Sequence, residues 1–215
     1  LPIFDYNKRR FFQRSMLTTM FIKNHMKRLF LLFLLSISIF SCSQDKSENS
    51  TIKTDFEKYF RSIQNKNIGE AINCIYPKFF EIFPKEQMKQ MLELTYNNPQ
   101  LGLSINKFNI DNISKVEKIK NEYFTTINYS FDVDLKLNSD ELKSKKDLLQ
   151  EGLERKFGSA NVKFESEKQI FSFNSSKKAI GISENGKSDW KFVVIENEYK
   201  PYLLKILPEK IINEN

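Results

Sequence analysis

The sequence predicts an α+β domain: N-terminal helices packed on a curved, cone-like antiparallel sheet, preceded by a signal helix and a disordered tether. Three observations carry this expectation. Apolar residues recur at helical spacing between residues 52 and 96. Alternation at period two begins at Tyr123, and an Asn-Gly pair at 185–186 separates two further strand-like runs. Helices followed by antiparallel strands form an α+β arrangement with the helices segregated to one face of the sheet.

Ile52, Phe56, Tyr59, Phe60 and Ile63 fall on one face of a first helix. Asn67 is placed to cap a second, short helix carrying Ile68, Ala71, Ile72 and Ile75, which Pro77 stops. Pro84 suits a first helical position, and Met88, Met91, Leu92 and Tyr96 repeat the spacing until Asn97-Asn98-Pro99. Each stripe reads as core. From Ile105 through Ile110 to Ile113 the pattern is mixed and predicts one strand and a turn. The odd positions from Tyr123 to Leu137 are apolar or Thr, and the even positions from Phe124 to Asn138 are polar but for Phe124. That is a long strand with one core face and one largely polar face. Asn138 with Glu141 resembles a capping box opening a helix that carries Leu142, Leu149, Leu153 and Phe157, closed by Gly158. Strands are expected at 162–164 and 170–173. A hairpin turns at Asn185-Gly186 between Ile180–Ile182 and Trp190–Ile195, and 201–212 is extended before a helical turn at Pro208.

Upstream of this domain (51–215), Lys27 and Arg28 precede an apolar run of twelve residues, Leu29 to Phe40, broken only by Ser36 and Ser38. That length fits a signal-peptide core of about 7–15 residues and falls short of the ~20 needed to span a bilayer. The run ends Ile39-Phe40-Ser41-Cys42, which resembles the lipobox of bacterial lipoproteins in the looser Bacteroidetes form. The resemblance implies a signal peptide over 26–41, a diacylglycerol thioether on Cys42 and a lipidated tether over 42–50. The partner it implies is the membrane, through the lipid on Cys42. Ser43 after the cysteine favours the outer membrane, and Asp45 and Glu48 are similar to the acidic export signal of surface lipoproteins. Met26 is the expected functional start, with 1–25 an upstream extension.

Charge and composition exclude several function classes. The formal net charge is +7, yet residues 1–41 hold seven basic residues against the single acid Asp5. The remainder carries 27 basic and 26 acidic side chains. A near-neutral domain lacks the basic footprint of nucleic acid binding. The only histidine, His25, precedes the mature domain, so no His is available there for a base, a triad or a zinc site. With Cys42 acylated, Cys74 stands alone and reads as a small buried hydrophobe. Asp132 and Asp134 fall on the polar face of the long strand and point to solvent on this register. No catalytic residue, cofactor or metal site is expected.

The element order, with the closing strand Trp190-Lys191-Phe192, is similar to the nuclear transport factor 2-like superfamily, which includes SnoaL-like proteins. Over residues 50–207 the resemblance implies a pocket between the concave sheet face and the helices. Tyr123, Thr125, Tyr129 and Trp190 are its candidate lining. The expected function is a non-catalytic envelope domain that binds a protein, a glycan or a small ligand. The alternatives are a small-pocket isomerase or hydrolase using a buried carboxylate, and an assembly subunit of an outer-membrane complex.

Overall fold

A computed structural model describes residues 44–213 of the chain, and those from Glu48 onward pack as one unit. The signal segment and Cys42 lie outside the described residues. Helix α1 spans Gln44–Gln64, so the described part of the expected tether, residues 44–50, is helical. Its polar residues include neither Gly nor Pro, and nothing there interrupts the helix of the apolar stripe. Helix α2 (Ile68–Asn73) begins where expected: the Asn67 side chain accepts the Glu70 amide at 3.4 Å. A 3-10 turn, Pro77–Glu81, leads to α3 (Lys85–Tyr96), which Pro84 precedes as cap and Asn97 ends.

Six strands form one antiparallel sheet: β1 (Leu101–Ile113), β2 (Glu117–Ile119), β3 (Glu122–Leu137), β4 (Val162–Glu165), β5 (Ile170–Ser183) and β6 (Lys191–Ile195). At its centre β3 pairs with β5 from Tyr123↔Ser183 to Lys136↔Ile170 without a register break. The other edge of β3 is shared by β1 and β2, and the other edge of β5 by β4 and β6. The chain after α2 protects the edge of β6. There the Tyr76 amide donates to the Phe192 carbonyl at 3.1 Å, and the Phe192 amide to the Cys74 carbonyl at 2.9 Å.

On the first sheet face, Ile52, Phe56, Tyr59 and Phe60 of α1 meet Ile127 and Tyr129 of β3 and Phe192 of β6. Phe56 is fully buried, its ring 5.0 Å from those of Tyr129 and Phe192 and 6.0 Å from Phe108. At the far end of β5 the Phe157 ring stacks on Phe173 at 4.4 Å.

The second face corrects the expectation that helices cover one face only. Phe124, Ile180, Ile182, Val193 and Ile195 form another core with Tyr76, Leu203, Leu207, Ile211 and Ile212. The segment read as extended is helical: a 3-10 turn (Asn197–Tyr199), α6 (Lys200–Leu203) and, beyond Pro208, α7 (Glu209–Asn213). The polar face of β3 is therefore polar only from Asn128 onward. Phe124 is 1% exposed and Thr126 9% beneath the C-terminal helices.

Three local expectations also change. The mixed segment is one strand, β1, whose register slips between Asn106 and Asn109 and again between Ile110 and Asn112. Lys107, at φ 46°, sits in the first slip, and these bulges scramble the alternation. The helix cap is Ser139, whose hydroxyl accepts the Leu142 amide at 3.3 Å, and the helix divides into α4 (Asp140–Ser144) and α5 (Lys146–Phe157). The two runs 170–173 and 180–182 belong to a single strand, because polar residues 174–178 continue β5. At the hairpin, Gly186 (φ +72°) lies against Tyr123, where an added Cβ would come within 2.6 Å of the ring.

Leu203 is fully buried in the second core. Leu203→Ala is expected to lower unfolding stability by about 2–5 kcal/mol, the usual range for a buried leucine. Truncating Leu148, which is 69% exposed, is expected to change it by less than about 0.5 kcal/mol in the same urea titration.

Candidate functional site

Between the first sheet face and α1–α3 the packing leaves a cavity of about 340 Å³. Its wall follows from the helical stripes. Tyr59, Phe60 and Ile63 come from α1, Ala71 from α2, and Met88, Met91, Leu92 and Tyr96 from α3. The sheet contributes Tyr129 and Phe131 of β3, Lys177 of β5 and Phe192 of β6, and Glu196 and Tyr199 follow β6. Rings form the floor: Phe60 stacks on Phe108 at 3.9 Å, and Tyr129 on Phe131 at 5.8 Å. Methionines 88 and 91 add unbranched, adaptable surface. Met91 and Tyr199 are 45% and 49% exposed, so the opening lies where α3 meets the chain after β6.

Polar groups in this wall are few. Tyr59 and Tyr129 are buried, and burial pushes both phenols well above the ordinary tyrosine range. Tyr96 acts second on Tyr59, and Tyr59, Glu196 and Tyr96 act next on Tyr129, which places these groups within electrostatic reach of one another. Tyr96 is itself pushed up by burial. Lys177 lies opposite Tyr129 in the β3–β5 ladder, so both side chains rise from the same face. The Lys177 Nζ donates to Glu196 Oε1 at 2.6 Å, with side chains 19% and 31% exposed. Among the described residues, Lys177 and Glu196 are the charged residues of the lining. The site is thus an apolar, aromatic-walled space with neutral hydroxyl groups and one ion pair.

Of the residues singled out from the sequence, Tyr129 lines this cavity, and Tyr123, Thr125 and Trp190 are not among its lining residues. Thr125 is 1% exposed, and its hydroxyl donates to the Ser114 carbonyl at 2.8 Å. Tyr123 packs beneath the Gly186 turn. Trp190 is 2% exposed in the core, its amide donates to Asp55 Oδ2 of α1 at 3.1 Å, and its indole N–H has no partner. These three stand nearer the hairpin, on the core face. Cys74 is free and half-buried against the core, with its thiol pushed up by burial.

Asp132 and Asp134 take the face opposite the cavity. Asp132 accepts Asn174 at 3.0 Å and pairs with Lys107 at 2.9 Å, contacts that lower its pKa, while Asp134 accepts Asn106 at 2.9 Å and Ser172 at 2.6 Å. No group of three or more His, Cys, Asp or Glu residues able to hold a metal occurs among the described residues.

Sequence reasoning missed Tyr59, Tyr96, Lys177 and Glu196 as site residues. The two tyrosines stood in stripes that read as plain core, and Lys177 lay in the polar run 174–178. Period-two counting from Phe173 to Ala179 would have put Lys177 on the core face, the one signal available.

The raised phenols have a measurable consequence. Tyr76, buried and hydrogen-bonded to Glu122 at 2.7 Å, is pushed up to about 12, chiefly by burial. An unfolded tyrosine ionises near pH ~10. Between that pH and the folded values the native chain holds protons that the unfolded chain has lost, so stability is full below ~10 and falls as pH rises. Absorbance titration of phenolate is expected to show a late-ionising class comprising Tyr59, Tyr76, Tyr96 and Tyr129. Tyr129→Phe should remove one member of that class.

No family model matches the chain, and no curated protein matches it in sequence.

Proposed function

We propose that this chain is an envelope lipoprotein, anchored to the outer membrane by acyl chains on Cys42, whose domain binds a small, largely apolar ligand. The single observation that carries the binding reading is the aromatic-walled cavity of about 340 Å³, open at Met91 and Tyr199. Pockets of ~300–1,000 Å³ with apolar walls and a few convergent polar groups are the usual form of small-molecule sites. The nuclear transport factor 2-like resemblance is part of the same proposal. An α+β order with helices over an open antiparallel sheet supports it. Binding rather than catalysis is favoured because the one carboxylate of the lining among the described residues, Glu196, is already held by Lys177. A general base needs a carboxylate free to take a proton from its substrate.

The anchor reading rests on the lipobox-like Ile39-Phe40-Ser41-Cys42 and on the short apolar run before it. Among the described residues no helix is long and apolar enough to cross a membrane. Stable attachment by lipid takes two or more chains, because a single acyl chain binds only marginally.

Two measurements test the two halves of the proposal. Metabolic labelling with an alkyne fatty acid is expected to mark the wild-type chain and to leave Cys42→Ser unmarked; equal labelling of both would refute the anchor. Nile red, an uncharged dye, is expected to brighten and shift to the blue with the wild-type chain in phosphatidylcholine nanodiscs, beyond the signal of empty nanodiscs. Met91→Trp, which fills the opening from an exposed position, is expected to weaken that binding about tenfold, or ~1.4 kcal/mol. No signal above empty nanodiscs would remove the cavity as a binding site.

A further inference from the structure

We propose that the Lys177–Glu196 pair selects the polar end of the ligand, admitting uncharged amphiphiles whose head places a hydrogen-bond acceptor beside a donor, as an amide or a hydroxyl does. This inference rests on the cavity being a binding site and adds the class of molecule it takes. Three observations carry it.

The pair belongs to the cavity. Lys177 rises from β5 beside Tyr129, Glu196 follows β6, and both line the same space as the buried Tyr59 and Tyr129. At 19% and 31% exposure the two side chains stand between the apolar floor and the water. A ligand whose apolar body fills the floor must leave its polar end within their reach.

The pair is neutral as a unit but polar in a fixed direction. Lys177 has three N–H donors, of which Glu196 takes one at 2.6 Å. Glu196 has further lone pairs beyond the one so engaged. A carbonyl or ether oxygen can accept from Lys177 while an N–H or O–H on the same head donates to Glu196. Neither charge is then left unpaired.

The same geometry disfavours charged heads. A ligand carboxylate drawn to Lys177 must approach Glu196 in a space walled by rings, where like charges repel more strongly than in water. An ammonium drawn to Glu196 meets Lys177 in the same way. The neighbouring phenols, held protonated by burial, contribute no charge to offset either head. Among the described residues the lining holds no other charged side chain to compensate.

The experiment compares four probes sharing one acyl chain: tetradecanamide, 1-tetradecanoylglycerol, tetradecanoate and tetradecylamine. Each is titrated against the full chain in phosphatidylcholine nanodiscs at neutral pH, with uptake by empty nanodiscs subtracted. The amide and the glyceride are expected to bind at least about tenfold more tightly than the ionised pair. Glu196→Gln should raise affinity for tetradecanoate and lower it for tetradecylamine, and Lys177→Met should do the opposite. An unchanged urea midpoint and far-ultraviolet circular dichroism show that each variant still folds. Equal affinity for all four heads, or variants that shift all probes alike, would overturn the selector while leaving the cavity reading intact. Tightest binding by tetradecanoate would also overturn it, marking Lys177 as an anion site. Binding of neither these probes nor Nile red would fail the cavity reading itself.

Discussion

The pairing of β3 with β5 is the constraint on which the rest of the domain depends. Fourteen consecutive residue pairs run from Tyr123↔Ser183 to Lys136↔Ile170 with no slip, so every side chain on both strands has its face assigned by parity. A one-residue shift of β5 would turn Lys177 away from the cavity and break its level with Tyr129. It would also bring Ile180 and Ile182 out of the second core. The outer strands are less regular, and they can be: β1 carries two slips and the β5 edge is shared by two short strands, yet neither disturbs the central parity.

Two cores built on opposite faces of that ladder divide the work. The larger is aromatic, centred on Phe56, and its helices diverge enough from the sheet to leave the cavity. The smaller is aliphatic apart from Phe124 and Tyr76, and it is closed by the C-terminal helices. Burial on the second face holds β5 and β6 flat against those helices, which keeps Lys177 and Glu196 at a fixed separation across the sheet. The ion pair of the site is therefore backed by the second core, which reaches the cavity wall through Val193 and Phe79.

Rings meeting at fixed angles also explain why a space persists at all. Aromatic side chains pack edge to face or offset, and Phe56, Tyr59, Phe60, Tyr129 and Phe192 do so with centroids 5.0–6.1 Å apart. Rigid rings held in this way cannot collapse into a gap as readily as aliphatic chains can. The flexible residues, Met88, Met91 and Leu92, all come from α3 on the opposite wall.

By itself, the amino-acid sequence determined the fold class, the three leading helices, the full length of β3 and the hairpin at Asn185-Gly186. Each of these is written in local spacing: an apolar stripe at helical period, strict alternation, or a turn residue that tolerates positive φ. It also fixed two properties that any fold must carry, the lack of histidine after His25 and the near balance of charge after residue 41. Only the tertiary structure decided that β5 runs unbroken through its polar middle, that the C-terminal segment is helical and covers the second face, and that Tyr59, Tyr96, Lys177 and Glu196 share one space with Tyr129. The physical reason is that these features depend on partners far away in sequence. A lysine in a polar stretch reads as surface until cross-strand pairing turns it toward Tyr129, and a tyrosine in a helical stripe reads as filled core until the opposing wall stands back from it.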